Sequence, residues 1–408
     1  MGLRERIQNI KIIDHHVHAV DPFYWMGPVG VYPFAEFNAK LPEPTPFTTI
    51  RRREMLFTAY REIYDFPYTD LTPDNLQKLD DLYQKSLEGD AEGKIFMKAM
   101  DKAGIESALQ MCLSEPILPP GLDPKRFARA QMVDGFLIPL DNSGIGETTR
   151  VKQFVKMVEV YPNIMRKQMN PQSFDDYLNM VSVTLENLVA EGVVALKMNH
   201  AYWRDIAIDV ADKKEAEDVY NKKDTTPARY KILQDYIMRH MIAKAAVLEL
   251  PIHIHTGALG IAQPMELSNA ARFDAFLWLP DIRKAQVILL HGSYPYCREA
   301  GFMVSRKGDV PNLYLDLSMM IYSIPGSPEA NVGIIRDWLQ AGLAERIVYG
   351  SDTTNVINVF IAAAIIREAL YLALQGMIDD GCIDETQAFT MAEMILRENA
   401  KKLYKNKV

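Results

Sequence analysis

The chain has 408 residues, of which 48% are hydrophobic, and a formal net charge of −8 at pH 7. The hydrophobic content is sufficient for a large core. The acidic balance argues against nucleic acid or an anionic membrane as a partner, because both are bound through basic patches. The first residues carry no apolar segment of the secretory type, and the three cysteines lack metal-type spacing. We therefore expect a cytoplasmic protein that binds a small molecule.

Eight short segments rich in apolar and β-branched residues alternate with helical patterns, as in repeated βα units. The predicted strands cover residues 10–14, 106–112, 134–140, 193–198, 250–256, 286–292, 312–318 and 346–352. Several are apolar throughout, which is typical of strands covered on both faces. The pattern predicts an α/β fold, a (β/α)8 TIM barrel that forms one domain over residues 1–408, rather than an open doubly wound sheet.

A long insertion, about residues 21–95, separates the first two predicted strands. It is rich in proline and aromatic residues before it becomes mostly helical. An insertion after a barrel strand lies over the mouth where substrates bind, so we expect a lid or cap, with Trp25 forming a wall of the pocket. A structural elaboration or an oligomer contact is the alternative. Further helices are predicted over about 212–248 and within 356–408.

Polar residues at the carboxyl ends of five predicted strands give the main functional signal. They are His16, His18, Lys197, His255, His291 and Asp352. A polar side chain in an apolar run needs a partner, and barrel enzymes keep their chemistry at this end of the strands. Imidazole and carboxylate groups bind divalent ions while leaving a position for water. The pattern therefore predicts a metal site, most readily for zinc, with manganese or iron as alternatives.

Three neighbouring residues have supporting roles in this interpretation. Asp14 shares a strand face with His16 and is predicted to orient it. His253 lies one layer deeper than the strand-5 ligand and is predicted to be structural. His15 points to the opposite face of the first strand, so we expect it to pack or to orient a loop.

In their order along the chain, these residues resemble the amidohydrolase superfamily of metal-dependent barrels. The segment "DHHVH" matches its H-x-H on strand 1, "HTG" and "LLHGSYPY" match its histidines on strands 5 and 6, and "YGSDT" matches its strand-8 aspartate. More narrowly, "LKMNHAYWR", "HGSYPYCREAGF" and "NLYLDLS" resemble the branch related to the amidohydrolase-like domain of glutamine-synthetase-like fusion proteins. Because such barrels are commonly oligomers, the resemblance also implies a homo-oligomer.

The resemblance implies that His16, His18 and Asp352 bind one metal ion and that Asp352 also carries the proton during the reaction. In members with a single ion, the strand-5 histidine joins the strand-1 pair, and the strand-6 histidine polarises the substrate.

In members with two ions, a carbamylated lysine on strand 4 bridges the ions, and the histidines of strands 5 and 6 hold the second one. These positions correspond to Lys197, His255 and His291. The sequence keeps every position needed for two ions. A lysine at this place can instead bind substrate, so one ion and two ions both stay open.

The expected reaction is hydrolysis of an amide or other C–N bond by metal-activated water. Asp352 would act as the base, and His291 or Lys197 would stabilise the oxyanion. Substrate contacts, including a bidentate grip on a carboxylate, are predicted for Arg298, Tyr202, Arg204, Tyr294 and Trp25. The two arginines have a structural alternative, in which each one pins its own loop through an ion pair.

Two other function classes stay open. One is a non-hydrolytic enzyme on the same scaffold, either a decarboxylase of an aromatic or dienoic acid or a sugar-acid isomerase, since a fold does not fix the reaction. Lys197 favours hydrolysis because the decarboxylase and isomerase relatives generally lack a strand-4 lysine ligand. The other is a metal-binding scaffold without catalysis, against which the retention of Asp352 argues.

Overall fold

The computed structural model of the chain describes residues 1–18, 50–86, 88, 91–113, 121–146, 148–257, 263–306, 312–318, 328–353 and 356–408. Eight strands form one sheet in the order β1 to β8, and the neighbours whose register is defined pair in parallel. The strands are β1 Ile12–Val17, β2 Ile105–Cys112, β3 Phe127–Met132, β4 Val193–Met198, β5 Ile252–His255, β6 Gln286–Leu290, β7 Asn312–Asp316 and β8 Ile347–Val348. The predicted (β/α)8 barrel is confirmed.

Helices connect the strands and extend the carboxyl-terminal part of the chain. The principal ones are Leu3–Asn9, Ile50–Tyr64, Pro73–Ser86, Ala91–Ala103, Thr149–Val158, Val160–Met169, Phe174–Ala190, Lys213–Lys222, Pro227–Val247, Cys297–Ser305, Pro328–Gln340, Val356–Asp379, Glu385–Glu393 and Asn399–Leu403. Three of them occupy the later part of the predicted insertion, which confirms its helical character there. Trp25 and the start of the insertion lie outside the described residues, so the lid stays a prediction.

Local sequence signals explain where several helices begin. Ser173 and Asp176 form a capping box, in which each side chain accepts a backbone N–H of the other residue, at the start of Phe174–Ala190. Proline occupies the first position of Pro227–Val247, where a missing N–H costs nothing.

The third strand was predicted at the wrong place. The predicted segment 134–140 contains instead the buried 3₁₀ turn Asp134–Leu137, and β3 lies just before it at Phe127–Met132. The strand was not predicted because it contains polar residues and is not an apolar run. Gln131 is fully buried, yet its amide donates to the carbonyl of Cys112 at 3.1 Å. The apolar run that follows marks a tightly packed turn, since a Cβ on Gly135 would lie 2.1 Å from the carbonyl oxygen of Val158.

The chain divides into two compact units. The first comprises Met1–Gln110, Pro116–Ala128 and Leu317–Val408, and the second comprises Met111–Glu115 and Arg129–Asp316. The first unit contains β1 and β8, and the second contains β4 to β7. The interpretation of residues 1–408 as one domain stays a prediction.

The core of the first unit includes the long helix Val356–Asp379. This described helix is long and apolar enough to cross a membrane by length and composition, and 67% of its most apolar window is buried within the fold. Arg367 of this helix is itself buried, and its guanidinium donates to the carbonyls of Ala103 at 2.6 Å and Ile10 at 2.7 Å. The helix is therefore largely a core helix, and the guanidinium of Arg367 satisfies carbonyl groups of two other segments.

Candidate metal centre

Three side chains, one in β1, one directly after β1 and one in the segment after β8, come together in the first unit. Nε2 of His16 lies 3.1 Å from Oδ1 of Asp352, and Nε2 of His18 lies 3.3 Å from the same oxygen. The His16 side chain is fully buried, whereas those of His18 and Asp352 are each 19% exposed. The group is therefore buried at His16 and reaches solvent through His18 and Asp352.

This donor set fits a divalent metal ion. One nitrogen or oxygen atom from each of the three residues lies within 4.8 Å of the others, and the described part of the chain contains no second such group of three His, Cys, Asp or Glu residues. Two imidazoles and one carboxylate are donors that zinc prefers, and three protein ligands leave a coordination position for water. The structure thus brings together the three residues predicted to bind one metal ion, and their individual roles stay predictions.

A buried carboxylate holds the backbone on both sides of this group. Oδ1 of Asp14 accepts the N–H of His16 at 3.1 Å and the N–H of Ser351 at 3.0 Å. The N–H of Asp352 donates in turn to the carbonyl of His16 at 2.7 Å. Asp14 therefore joins the strand that carries His16 to the residue before Asp352, which supports the orienting role predicted from its place in the strand.

Asp352 has a left-handed backbone conformation, with φ at 48°. That conformation costs a non-glycine residue about 1–2 kcal/mol, so it persists only where surrounding contacts determine it.

On the other face of β1, Nδ1 of the buried His15 lies 3.0 Å from the hydroxyl oxygen of Tyr404. His15 thus packs against the carboxyl-terminal helix Asn399–Leu403 region, as expected from the alternation of the strand.

The second unit contains the other three predicted ligands. Lys197 lies within β4, His255 is the last residue of β5, and His291 follows β6 directly. All three are buried. Nδ1 of His255 lies 3.0 Å from Nε2 of His291, and a single N–H···N bond of this kind requires one ring to be neutral at the accepting nitrogen. The two imidazoles therefore converge, as a shared ligand role requires, and the number of ions stays open.

The segment after β6 has an unusual backbone. His291, Gly292 and Ser293 all have positive φ angles, at 63°, 51° and 58°. The N–H of His291 donates to Oδ2 of the buried Asp316 at 3.4 Å, and Oγ of Ser293 accepts the N–H of Ala270 at 3.0 Å. Strained backbone of this kind is concentrated at functional sites, and here it directs His291 toward His255.

Lys197 has an electrostatic partner within its own unit. Burial raises the pKa of Asp134 to about 7, while a hydrogen bond from the N–H of Asn199 and the charge of Lys197 oppose the rise. Asp134 lies in the turn after β3, and it is fully buried. The ammonium group of Lys197 therefore has a neighbouring carboxyl group that is only partly charged near neutral pH.

The structure commits Arg204 to protein contacts. Its guanidinium donates to the carbonyls of Asp205 at 3.0 Å and Ala207 at 2.7 Å, to the amide oxygen of Gln234 at 3.1 Å, and to the carboxylate of Asp235 at 2.5 Å. Every nitrogen of the guanidinium is used. These bonds favour the structural alternative, in which Arg204 pins its loop, over the predicted contact with substrate.

The other predicted substrate residues have different settings. Arg298 is exposed in the first turn of Cys297–Ser305, and Tyr294 is half-buried between β6 and that helix. The ring of Tyr202, in the 3₁₀ turn after β4, lies against that of His255 with centroids 4.6 Å apart. Trp25 is outside the described residues. Of the three residues that the structure describes, Tyr202 is the one whose ring packs against that of a predicted ligand.

Two residues near the predicted ligands were missed by the sequence analysis. Asp316 ends β7 as a polar residue in an apolar run, so the rule that selected the other strand-end residues would have found it. Phe154 contacts the ring of Tyr202 with centroids 4.9 Å apart, but in the sequence it is an ordinary apolar position of the helix Thr149–Val158. No local signal distinguishes it.

Comparison with known sequences gives two matches of different extent. The model of a family described as Amidohydrolase matches residues 184–405. Protein fluG of Emericella nidulans is 28% identical over 180 residues, which cover 43% of this chain and 20% of fluG. The matched part thus spans about a fifth of the length of that relative.

Comparison with solved structures finds similar folds. A Lactobacillus casei protein that has been assigned as a metal-dependent hydrolase has a TM-score of 0.64 and 19% identity, with 99% of this chain and 97% of that chain covered. Uronate isomerase from Thermotoga maritima has a TM-score of 0.66 and 13% identity, with coverages of 98% and 96%. At these identities the likeness concerns the fold.

Proposed function

Because the chain belongs to the amidohydrolase family, we propose that it is a metal-dependent hydrolase that cleaves an amide or other C–N bond of a small, carboxylate-bearing substrate. The convergence of His16, His18 and Asp352 within 4.8 Å is the observation that carries the proposal. We also propose that the protein acts in the cytoplasm as a homo-oligomer. These two statements rest on the sequence alone.

A divalent ion held by this group would supply a Lewis acid and make water acidic enough to react near neutral pH. The side chain of Asp352 is partly exposed, so it is accessible to substrate, and its carboxylate can accept the proton of the attacking water. The same carboxyl group can then return that proton to the leaving amine. His16 is fully buried, and its part is to hold position rather than to exchange protons with solvent.

The second unit contains two further residues for which the sequence predicts a role in the reaction. Lys197 and His291 are buried donors, suited to stabilising negative charge on the substrate oxygen or to holding a second ion. Arg298 is exposed after β6 and is the arginine we assign to the substrate carboxylate. Arg204 is not assigned to substrate, because its donors are already used by the protein.

The first test is the metal content of the purified protein, measured by mass spectrometry together with the intact mass. We expect at least one zinc, manganese or iron ion per chain, and we expect Asp352→Asn and His16→Ala to lose it. The control is His240→Gln, which removes a histidine that contacts Ser182 and the carbonyl of Leu178 on helix Phe174–Ala190. This variant should keep the full metal content.

Lys197→Ala distinguishes one ion from two. In one outcome, the wild type binds two ions per chain and Lys197→Ala binds one or none, and addition of bicarbonate and zinc restores binding in the wild type. This outcome would support a carbamylated lysine. One ion that survives the substitution would assign Lys197 to substrate binding.

Activity is tested on a panel of small amides that includes γ-glutamyl amides, to which the resemblance to the glutamine-synthetase-like branch points. We expect kcat/KM to fall by about 10³-fold in Asp352→Asn, the range for loss of a general acid–base group. Turnover of an aromatic acid or a sugar acid, with no amide hydrolysed, would overturn the proposal in favour of a decarboxylase or an isomerase. A metal-loaded protein without turnover on any panel would favour the scaffold.

A further inference from the structure

Four rings form a continuous series in the second unit. The ring of Phe154 is stacked on that of Tyr202 at an interplanar angle of 17° and a centroid distance of 4.9 Å. Tyr202 contacts His255 at 4.6 Å, and His255 contacts His291 at 4.5 Å. Phe154 and Tyr202 are not candidate ligands. The series connects them to both predicted histidine ligands of this unit.

Phe154 and Tyr202 are each held by contacts of their own element. Phe154 lies in the helix Thr149–Val158, which begins where the side chain of Thr148 accepts the N–H of Val151. The turn that carries Tyr202 is held from the loop after β5, where the amide of Gln263 donates to the carbonyls of Ala201 and, at 2.8 Å, Arg204. The contacts that hold Phe154 and the turn of Tyr202 therefore come from elements other than the strand that carries His255.

Ring orientation decides whether an imidazole can bind a metal ion. The lone pair of the accepting nitrogen lies in the ring plane, so rotation about the Cβ–Cγ bond moves it away from the ion, and proteins fix that rotation through the groups around the ring. His291 contacts His255 through one nitrogen. The ring of Tyr202, tilted by 52° to that of His255, restricts the same rotation by packing.

We propose that Phe154 and Tyr202 are positioning residues that hold the imidazole of His255 in its metal-binding orientation. The proposal rests on the proposed function and on the ligand role that the sequence predicts for His255. The ring of Tyr202 packs directly against His255, and the ring of Phe154 acts indirectly by holding the ring of Tyr202. Neither residue is a metal donor in this arrangement.

The test measures binding of Co²⁺ to the metal-free protein, by its visible absorption and by competition with a chelator. Tyr202→Leu removes the ring, and we expect the affinity of the ion held by His255 to fall by about 10–100-fold, the range for loss of a group that orients a ligand, with an altered spectrum. Phe154→Leu should give the same spectral change and a smaller loss. Tyr202→Phe keeps the ring and should bind within about threefold of the wild type.

Tyr220→Leu is the matched control. Tyr220 is also a half-buried tyrosine against a phenylalanine, with its ring 5.3 Å from that of Phe174, but it belongs to the helix Lys213–Lys222. Its loss should leave Co²⁺ binding unchanged. If Tyr202→Leu does not give the circular dichroism spectrum of a folded protein, Phe154→Leu and Tyr202→Phe decide the question.

His255→Ala tests the ligand role of His255 separately from the positioning role of Phe154 and Tyr202. If it loses Co²⁺ affinity while Tyr202→Leu and Phe154→Leu bind as the wild type does, the positioning role is wrong and the ligand assignment stands. If His255→Ala also binds as the wild type does, the ligand assignment is wrong and the positioning role fails with it. Loss of affinity in Tyr202→Phe equal to that in Tyr202→Leu would also overturn the role assigned to the ring.

Discussion

The two groups of predicted ligands are held in place by different means. In the first unit, Asp14 accepts two backbone N–H groups, and the N–H of Asp352 donates to the carbonyl of His16. Here hydrogen bonds fix the backbone, and the ligand side chains follow from it. In the second unit, rings pack on rings, and His291 lies in a run of left-handed residues.

This difference indicates how each group should respond to substitution. A hydrogen-bonded backbone depends on a few acceptor atoms, so it should tolerate changes of size that keep the acceptor. A packed series of rings next to strained backbone depends on volume and on close approach, so it should tolerate polar changes better than steric ones. The predictions below test that contrast.

The largest effect on stability is expected from Gly257→Ala in the second unit. Gly257 has φ at +78°, and a Cβ there would lie 2.3 Å from the carbonyl oxygen of Tyr294 and 2.7 Å from the carbonyl carbon of Ser293. Backbone atoms cannot move aside as a flexible side chain does, so the segment that carries His291 must shift. We expect the free energy of unfolding, measured in urea, to fall by about 4 kcal/mol.

Gly192→Ala is the control for backbone conformation alone. Gly192 has φ at +87° and no atom within 4 Å of the added Cβ. The expected cost is therefore about 1–2 kcal/mol, the strain of a left-handed residue. Equal losses in the two variants would mean that close packing at Gly257 contributes nothing.

Asp14→Ala should have the next largest effect, in the first unit. The substitution leaves the buried N–H groups of His16 and Ser351 without the acceptor that they share, and the loss of two bonds to a charged group is expected to cost about 3 kcal/mol. The affinity for metal should fall as well, because the backbone between His16 and Asp352 is released. Urea unfolding and chelator competition measure the two quantities.

Asp14→Asn is the informative companion. Both N–H groups use the same oxygen, Oδ1, of Asp14, and asparagine retains one carbonyl oxygen. We expect it to recover more than half of the stability lost in Asp14→Ala. If the asparagine variant is as unstable as the alanine variant, the negative charge rather than the acceptor position holds the backbone.

A change of pH should act on the turn that carries Tyr202. Burial, together with the charge of Arg204, lowers the pKa of His200 to about 3. The folded protein therefore keeps His200 neutral, while the unfolded chain takes up a proton below its ordinary pKa of about 6.5. The stabilising effect is complete above pH 6.5 and is lost as the pH falls, by about 2 kcal/mol at pH 5.

The measurement compares urea unfolding of the metal-free wild type and of His200→Gln at pH 7.5 and pH 5. Glutamine can still donate to the carbonyl of Ile206, as Nε2 of His200 does at 3.3 Å, but it does not titrate. The variant should lose about 2 kcal/mol less than the wild type on acidification. Parallel losses in the two proteins would show that His200 takes up its proton in the folded state as well.

The sequence predicted those features that depend on a residue's own strand. The ends of β4 to β6 carry polar residues in apolar runs, and burial on both faces makes such residues stand out. The same logic failed at β3, because Gln131 meets its hydrogen-bonding partner only in the folded sheet. It also passed over Asp316, for which the signal was present and was not used.

Features that depend on distant segments could not be predicted. Phe154 is significant only because its helix brings it to Tyr202, 48 positions along by their numbers in the sequence. Arg204 was predicted to bind substrate or to pin its own loop through an ion pair, and its ion-pair partner is Asp235, on the helix Pro227–Val247. Neither contact has a local pattern, since tertiary packing alone creates it.

Arg204 and Arg298, the two arginines predicted to bind substrate, allow the smallest of the expected effects to be measured. Arg204→Lys keeps one positive charge but loses the planar fork that serves four acceptors, and we expect a loss of about 1–2 kcal/mol in the free energy of unfolding. Arg298→Lys changes an exposed residue and should alter stability by less than about 0.5 kcal/mol. If Arg298 holds the substrate carboxylate, this second variant should instead raise KM with little change in kcat. If Arg298→Lys loses as much stability as Arg204→Lys, both arginines have structural roles, and another group must bind the substrate carboxylate.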